Sequence, residues 1–88
     1  MQLPIAYLKI SETSDQATID KEIQAGLDEF DVLLSNLNLN VLSRTRILHV
    51  VGEQSKFMIE ILRENDQMQM SSHITIAGEL SVTIVVQV

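Results

Sequence analysis

The run 81–88 constrains the fold most, because it alternates apolar residues with others and contains neither a charge nor a proline. Such alternation is typical of a strand with one buried face, and Val82, Ile84, Val86 and Val88 share that face. An uncharged strand of this kind invites aggregation at an open sheet edge. We therefore expect it either at the centre of a sheet, beside the first strand, or paired with a second chain.

A helix is predicted over 14–37, where Thr13 and Gln16 match a capping box. Gly26 falls on its apolar face, and an interior glycine costs about 1 kcal/mol relative to alanine, so this position predicts a close approach to the sheet. The apolar face is formed by Ile19, Ile23, Leu27, Phe30, Leu34 and Leu37. The opposite face carries Asp20, Gln24, Asp28 and Asp31.

A short strand is predicted over 3–10, before that helix. Pro4 near its start suits either an edge strand or the first residue of a strand, where a missing backbone N–H is tolerated. The segment 36–41 alternates asparagine with apolar residues. Asparagine is unfavourable in regular structure, so we interpret this segment as a loop or the frayed start of a strand.

The second half of the chain predicts a meander of four strands, with turns at 52–55, 65–66 and 78–80. In the last hairpin Ile74 is placed opposite Ile84. One apolar face then runs through Ile47, Phe57, Ile59, Ile61, Met70, Ile74, Ile76, Val82, Ile84 and Val86. The predicted fold is α+β with two layers, β-α-β-β-β-β, in which one long helix packs on an antiparallel meander. The predicted strands together form a sheet much wider than a single helix, so one helix cannot cover its apolar face. The uncovered part of that face predicts self-association.

An alternative keeps 44–64 as a second helix and gives the order β-α-α-β-β, with a hairpin over 72–88. Its helical spacing is carried by Ile47, Val50, Val51, Gln54, Met58, Ile61 and Leu62, and Ser43 would be the N-cap. Two features count against it: the run Val50-Val51-Gly52 would lie in mid-helix, and Ile59 would leave the apolar face. The meander is preferred and the second helix stays open.

Length and composition exclude several classes of protein. The 88 residues, 45% of them apolar, suit one α+β domain over 1–88. The absence of cysteine excludes disulfides and thiolate chemistry. No apolar run approaches the roughly 20 residues of a membrane span, and the start MQLPIAYLKI lacks the features of a signal peptide. We expect a cytoplasmic protein that has no membrane partner.

Charge is concentrated in the first half of the chain. The net charge is −6, and residues 1–40 hold seven acidic and two basic residues. A negative field makes nucleic acid an improbable partner, since binding requires cations that displace counterions from phosphates. The same field suits a basic protein partner.

Few residues could carry chemistry. The meander separates His49, on the buried face, from His73, so the two imidazoles do not converge on a metal or an acid–base pair. Arg44 and Arg46 share one strand face and could hold an anion, although ion pairs with Glu60 and Glu64 on the neighbouring strand explain them more simply. The acidic helix face contains no calcium-type loop, and each glycine is isolated, so no phosphate loop is present.

These observations favour a non-enzymatic module without a cofactor or a metal. We expect a small acidic protein–protein interaction module, an inhibitor or regulatory adaptor such as phage accessory proteins often are, that binds a larger protein. The predicted partner surface is Asp20, Gln24, Asp28 and Asp31. The alternative is a structural subunit of a homo-oligomer, at least a homodimer, with Val82, Ile84, Val86 and Val88 at its interface.

Overall fold

The computed structural model describes residues 1–11, 15–78 and 80–88 as an α+β structure with two helices packed on one sheet. The elements follow the order β1 (Ala6–Lys9), α1 (Gln16–Ser35), α2 (Val41–Glu64), β2 (Gln69–Ile76) and β3 (Leu80–Gln87). Within these described segments, neither helix combines the length and apolar character that crossing a bilayer requires.

The sheet has the order β1-β3-β2, so β3 lies between the other two strands. β1 runs parallel to β3, with Ala6 opposite Ile84, and β2 runs antiparallel to β3. Of the two alternatives for the uncharged last strand, the central position beside the first strand is the one observed. The first strand lies at an edge of the sheet, which is one of the two positions that Pro4 suits, and its regular part begins two residues after Pro4.

Both helices cover the same face of the sheet and enclose the core with it. α1 packs on β1, and α2 packs on β2 and β3. Completely buried side chains come from every layer: Leu8, Ile19, Phe30, Leu34, Ile47, Val51, Met58, Leu62, Val82, Ile84 and Val86. The outer face of the sheet remains open to solvent, and there the Tyr7 hydroxyl donates to Gln87 Oε1.

The four-stranded meander is wrong, and the alternative with a second helix is correct in its element order. Residues 44–64 lie inside α2, whose N-cap is Asn40 rather than Ser43: the Asn40 side chain accepts a hydrogen bond from Ser43 N at 2.8 Å. The segment 36–41 is therefore a turn that ends in a helix cap.

Packing on two sides explains why the objections to this helix fail. Gly52 is buried because α1 passes close to it, and a Cβ there would stand 3.3 Å from Leu27 Cδ1. Ile59 is buried although it lies off the face that contacts the sheet, because it borders the groove against Ile19 and Ile23 of α1. Burial of this kind outweighs the weak helix propensity of Val51 and Gly52.

The last hairpin has the predicted faces but a different register. Ile74 lies opposite Val82, and Ser72 lies opposite Ile84, so the strands are displaced by two residues from the prediction. A displacement of two preserves which side chains face the helices, because side chains alternate with a period of two. Ala77 and Gly78, both with positive φ, begin the turn.

The observed bounds of α1 are close to those predicted, and Gly26 has the predicted role of permitting a close approach to the sheet. The helix spans Gln16–Ser35 and its N-cap is Asp15, which accepts from Ala17 N at 3.0 Å. Thr13 of the predicted capping box lies outside the described residues. A Cβ on Gly26 would stand 2.8 Å from Leu8 Cγ, so the glycine permits the close approach of α1 to β1.

Candidate functional site

The polar face of α1 presents two exposed carboxylates, those of Asp20 and Asp28. Each accepts a hydrogen bond from a neutral amide one turn earlier: Gln16 Nε2 donates to Asp20 Oδ1, and Gln24 Nε2 donates to Asp28 Oδ1, both at 2.9 Å. Amide donors orient a carboxylate without neutralising it. Both negative charges therefore remain available to a cation from outside.

Asp31, the fourth residue of the predicted partner surface, has a different environment. It is half-buried, and its Oδ1 accepts from Arg44 Nη2 at 2.7 Å and from Arg44 Nε at 3.2 Å. This ion pair joins the end of α1 to the beginning of α2. Because its charge is already balanced, Asp31 contributes little to an external field.

A shallow groove of about 310 Å³ separates the two helices on their solvent side. Asp20 and Gln24 line it from α1, and His49, Glu53 and Lys56 line it from α2. Lys56 Nζ is 3.7 Å from Glu53 Oε1, and both side chains are more than half exposed, so this pair is weak. We call Asp20, Gln24, Asp28 and Glu53 the acidic surface; Glu53 belongs to it only because α2 is a helix.

Arg44 and Arg46, which were predicted to share one strand face, do not lie side by side. Arg44 and Arg46 lie on α2 instead of on a strand, and residues two apart point to different sides of a helix. Arg44 bonds to Asp31 and not to Glu60 or Glu64, and Arg46 is exposed. The two guanidinium groups therefore do not form a common anion site.

The two histidines lie in different layers. His49, predicted on the buried face, is exposed on α2 because 44–64 is helical. His73 lies on the outer sheet face, where its ring nitrogens are 3.0 Å from Thr83 Oγ1 and 2.6 Å from Ser81 Oγ. Over residues 1–11, 15–78 and 80–88, no group of three or more His, Asp or Glu side chains could hold a metal ion.

Three of the four residues predicted at an oligomer interface, Val82, Ile84 and Val86, are in the core. Val82, Ile84 and Val86 have no exposed surface, since α1 and α2 cover the face that a single helix would leave open. Val88 is half-buried against the same core. Val82, Ile84 and Val86 therefore have no surface with which to contact a second chain, whereas Val88 keeps part of its surface exposed.

The open edge of β2 is a feature that the meander prediction concealed, because it placed 69–76 between two other strands. In the structure β2 is an edge strand of eight residues without a proline. Its only titratable side chain is His73. The alternative order β-α-α-β-β could have revealed this open edge from the sequence. In that order the first strand of the hairpin has no second neighbouring strand.

Comparison of the chain with protein-family models, with curated protein sequences and with solved structures finds no match.

Proposed function

We propose that the protein is a small non-enzymatic module that binds a larger, basic protein through the acidic surface. The observation that carries this proposal is that Asp20 and Asp28 are exposed and that, among the described residues, only neutral amides orient them. Binding by such a module can block a partner or join it to another protein, so inhibitor and regulatory adaptor are the two roles we propose.

Charge distribution supports this choice of surface. α1 contains five acidic residues and one lysine, and in the described part of the chain one of those acids, Asp31, is balanced by a salt bridge with Arg44. An exposed cluster of one sign accelerates encounter with a partner of the opposite sign and makes the rate depend on salt. The same field repels the phosphates of nucleic acids.

The test is a charge-reversal pair with a matched control. D20K/D28K changes the net charge from −6 by +4 to −2 and leaves the Arg44–Asp31 ion pair intact. E29K/E60K makes the same change at exposed acids outside the acidic surface. Proteins captured from a lysate of the source cells by each variant are identified by mass spectrometry, and association with the purified captured protein is then timed against salt.

We expect D20K/D28K to lose a basic partner that the wild type and E29K/E60K retain. Its slower association should approach the wild-type rate near 0.5 M salt, where the screening length is about 4 Å. Equal association rates for all three proteins at every salt concentration would remove the acidic surface from the proposal.

A second candidate function is self-assembly as a structural subunit. The observation that favours it is no longer the apolar face of β3 but the open edge of β2.

A further inference from the structure

We propose that two copies of this chain pair through β2, antiparallel about a two-fold axis at Ser72, to form one continuous six-stranded sheet. The inference specifies the second candidate function. Its surface is separate from the three α1 residues of the acidic surface, Asp20, Gln24 and Asp28, because α1 packs on β1 at the opposite edge of the sheet.

The hydrogen bonds of β3 show which backbone groups of β2 point outward. Val88 N donates to Met68 O at 2.8 Å, so in this antiparallel ladder the even-numbered residues of β2 bond to β3. Ser81 bonds to Met1 and Leu3, and Gln87 bonds to Ile10, all in the N-terminal segment that contains β1, which agrees with this alternation. The N–H and C=O groups of Gln69, Ser71, His73 and Thr75 therefore point away from the sheet.

Nothing in β2 protects this edge in the ways that edge strands usually are protected. The strand has no proline, lysine or glutamate, and all its eight residues pair with β3 without a bulge. The edge at β1 differs, since that strand has four residues, carries Lys9 and is preceded by Pro4. The β2 edge is the one suited to accept another strand.

The pattern of free groups favours a second copy in one register. With Ser72 opposite Ser72 of the second copy, Ser71 pairs with His73, and Gln69 pairs with Thr75. All four outward-pointing residues then exchange hydrogen bonds with the same four residues of the other chain, as a two-fold interface requires. On the inner face Met70 lies opposite Ile74, and both are only half-buried in one chain.

α2 extends the matching surface above the strand. Gln54 Nε2 lies 3.4 Å from Ser72 Oγ, so Gln54 marks the level of the proposed axis on the helix. Val50, Phe57 and Ile61 lie on the same side of α2 within two turns of Gln54. Phe57 is 55% exposed, and Val50 and Ile61 are half-buried. A second copy would cover this apolar strip.

Two charged side chains of opposite sign, Arg46 and Glu64, lie at the ends of the strip and are complementary across the axis. Arg46 and Glu64 are separated by 18 residues, or five helical turns, and so lie on one side of α2. Arg46 lies about 12 Å before the level of Gln54 and Glu64 about 15 Å after it. In an antiparallel dimer each Arg46 therefore meets Glu64 of the second copy. Neither takes part in a salt bridge among the described residues.

The size of the edge sets the expected affinity. Eight residues make an edge about 27 Å long, and an interface of one strand and one helix side lies at the small end of specific interfaces. We expect a dissociation constant in the micromolar range. Sedimentation equilibrium of the full chain from about 5 to about 500 µM should show the mass rise from 9.9 kDa towards twice that value.

A charge exchange tests the geometry without disturbing the fold, because Arg46 and Glu64 are exposed. R46E and E64R should each weaken the dimer about tenfold or more, and R46E/E64R should restore it to within about threefold. K56E is the control for net charge, since R46E and K56E both change it by two, from −6 to −8. K56E should leave the dimer unchanged.

A second pair of variants tests the strand itself. S71P removes an N–H that points outward while leaving the bonds to β3, and should make the chain monomeric; S71T keeps that N–H and should dimerise like the wild type. Amide exchange should show protection at Gln69, Ser71, His73 and Thr75 that rises with protein concentration. A monomer at about 500 µM, a double variant as weak as R46E, or concentration-independent exchange at those four amides would each overturn the proposal.

Discussion

Gly26 of α1 lies directly over Leu8 of β1, so closely that a Cβ on the glycine would stand 2.8 Å from Leu8 Cγ. Leu8 is completely buried and cannot move into solvent. The second helical glycine, Gly52, has more room, because its nearest neighbour would be Leu27 Cδ1 at 3.3 Å. Leu27 is only half-buried, and this atom is the end of its side chain.

The same substitution should therefore have different effects on stability at these two glycines. Gly26→Ala should lower the free energy of unfolding by about 1–2 kcal/mol, because crowding in a packed core outweighs the gain in helix propensity. Gly52→Ala should leave it unchanged or raise it by up to about 1 kcal/mol. Urea denaturation followed by circular dichroism measures both values. Equal effects at the two positions would contradict the close approach of α1 to β1.

Phe30 tests the contribution of α1 to the core. Its side chain is 2% exposed, so Phe30→Ala should cost about 3–5 kcal/mol. That is comparable with the whole stability of a small domain, and the variant should be largely unfolded at 25 °C. Val32→Ala is the control in the same helix, since Val32 is 64% exposed. A loss below about 1 kcal/mol at Phe30 would place this helix face in solvent.

The sequence was sufficient to predict α1 and the two faces of the last hairpin. Each of these elements buries one side, so its apolar residues recur with a single clear period. α2 is buried on two sides, against α1 and against the sheet. Ile59 therefore lies off the single apolar face that a helix buried on one side would have, and the apolar residues of 44–64 were also compatible with two strands. The register of the hairpin was missed by two residues, since the alternation of side chains is unchanged by such a displacement.

The candidate site shows the same dependence on tertiary structure. Asp20 and Asp28 were predicted correctly as exposed, because the polar face of a single helix is evident in its sequence. The balanced charge of Asp31 depends on Arg44 of α2, and the open edge of β2 depends on the strand order. Neither could be inferred while 44–64 was interpreted as two strands.

The ion pair between Arg44 and Asp31 should be measurable as a coupling energy between the two helices. Its side chains are 29% and 39% exposed, and pairs of this kind contribute about 0.2–1 kcal/mol. A double-mutant cycle with Arg44→Ala and Asp31→Ala should give a coupling in that range at low salt and less near 1 M, where screening is stronger. Arg46→Ala with Asp31→Ala is the control cycle and should show no coupling. Absence of coupling in the first cycle at low salt would mean that Arg44 does not balance Asp31, and Asp31 would then be added to the acidic surface.

Ala77 lies in the turn between β2 and β3 with φ of 55°, in the left-handed region. An L-residue with a Cβ pays about 1 kcal/mol or more for this conformation, whereas glycine adopts it freely. Ala77→Gly should therefore raise the free energy of unfolding by about 0.5–1 kcal/mol, after allowance for the greater freedom of glycine in the unfolded chain.

Ala25→Gly is the matched control, because Ala25 is an exposed residue inside α1. There the same substitution should lower stability by about 1 kcal/mol. Chemical denaturation of both variants measures the difference in sign, and a loss of stability at Ala77 would show that the turn does not hold this residue in the left-handed region.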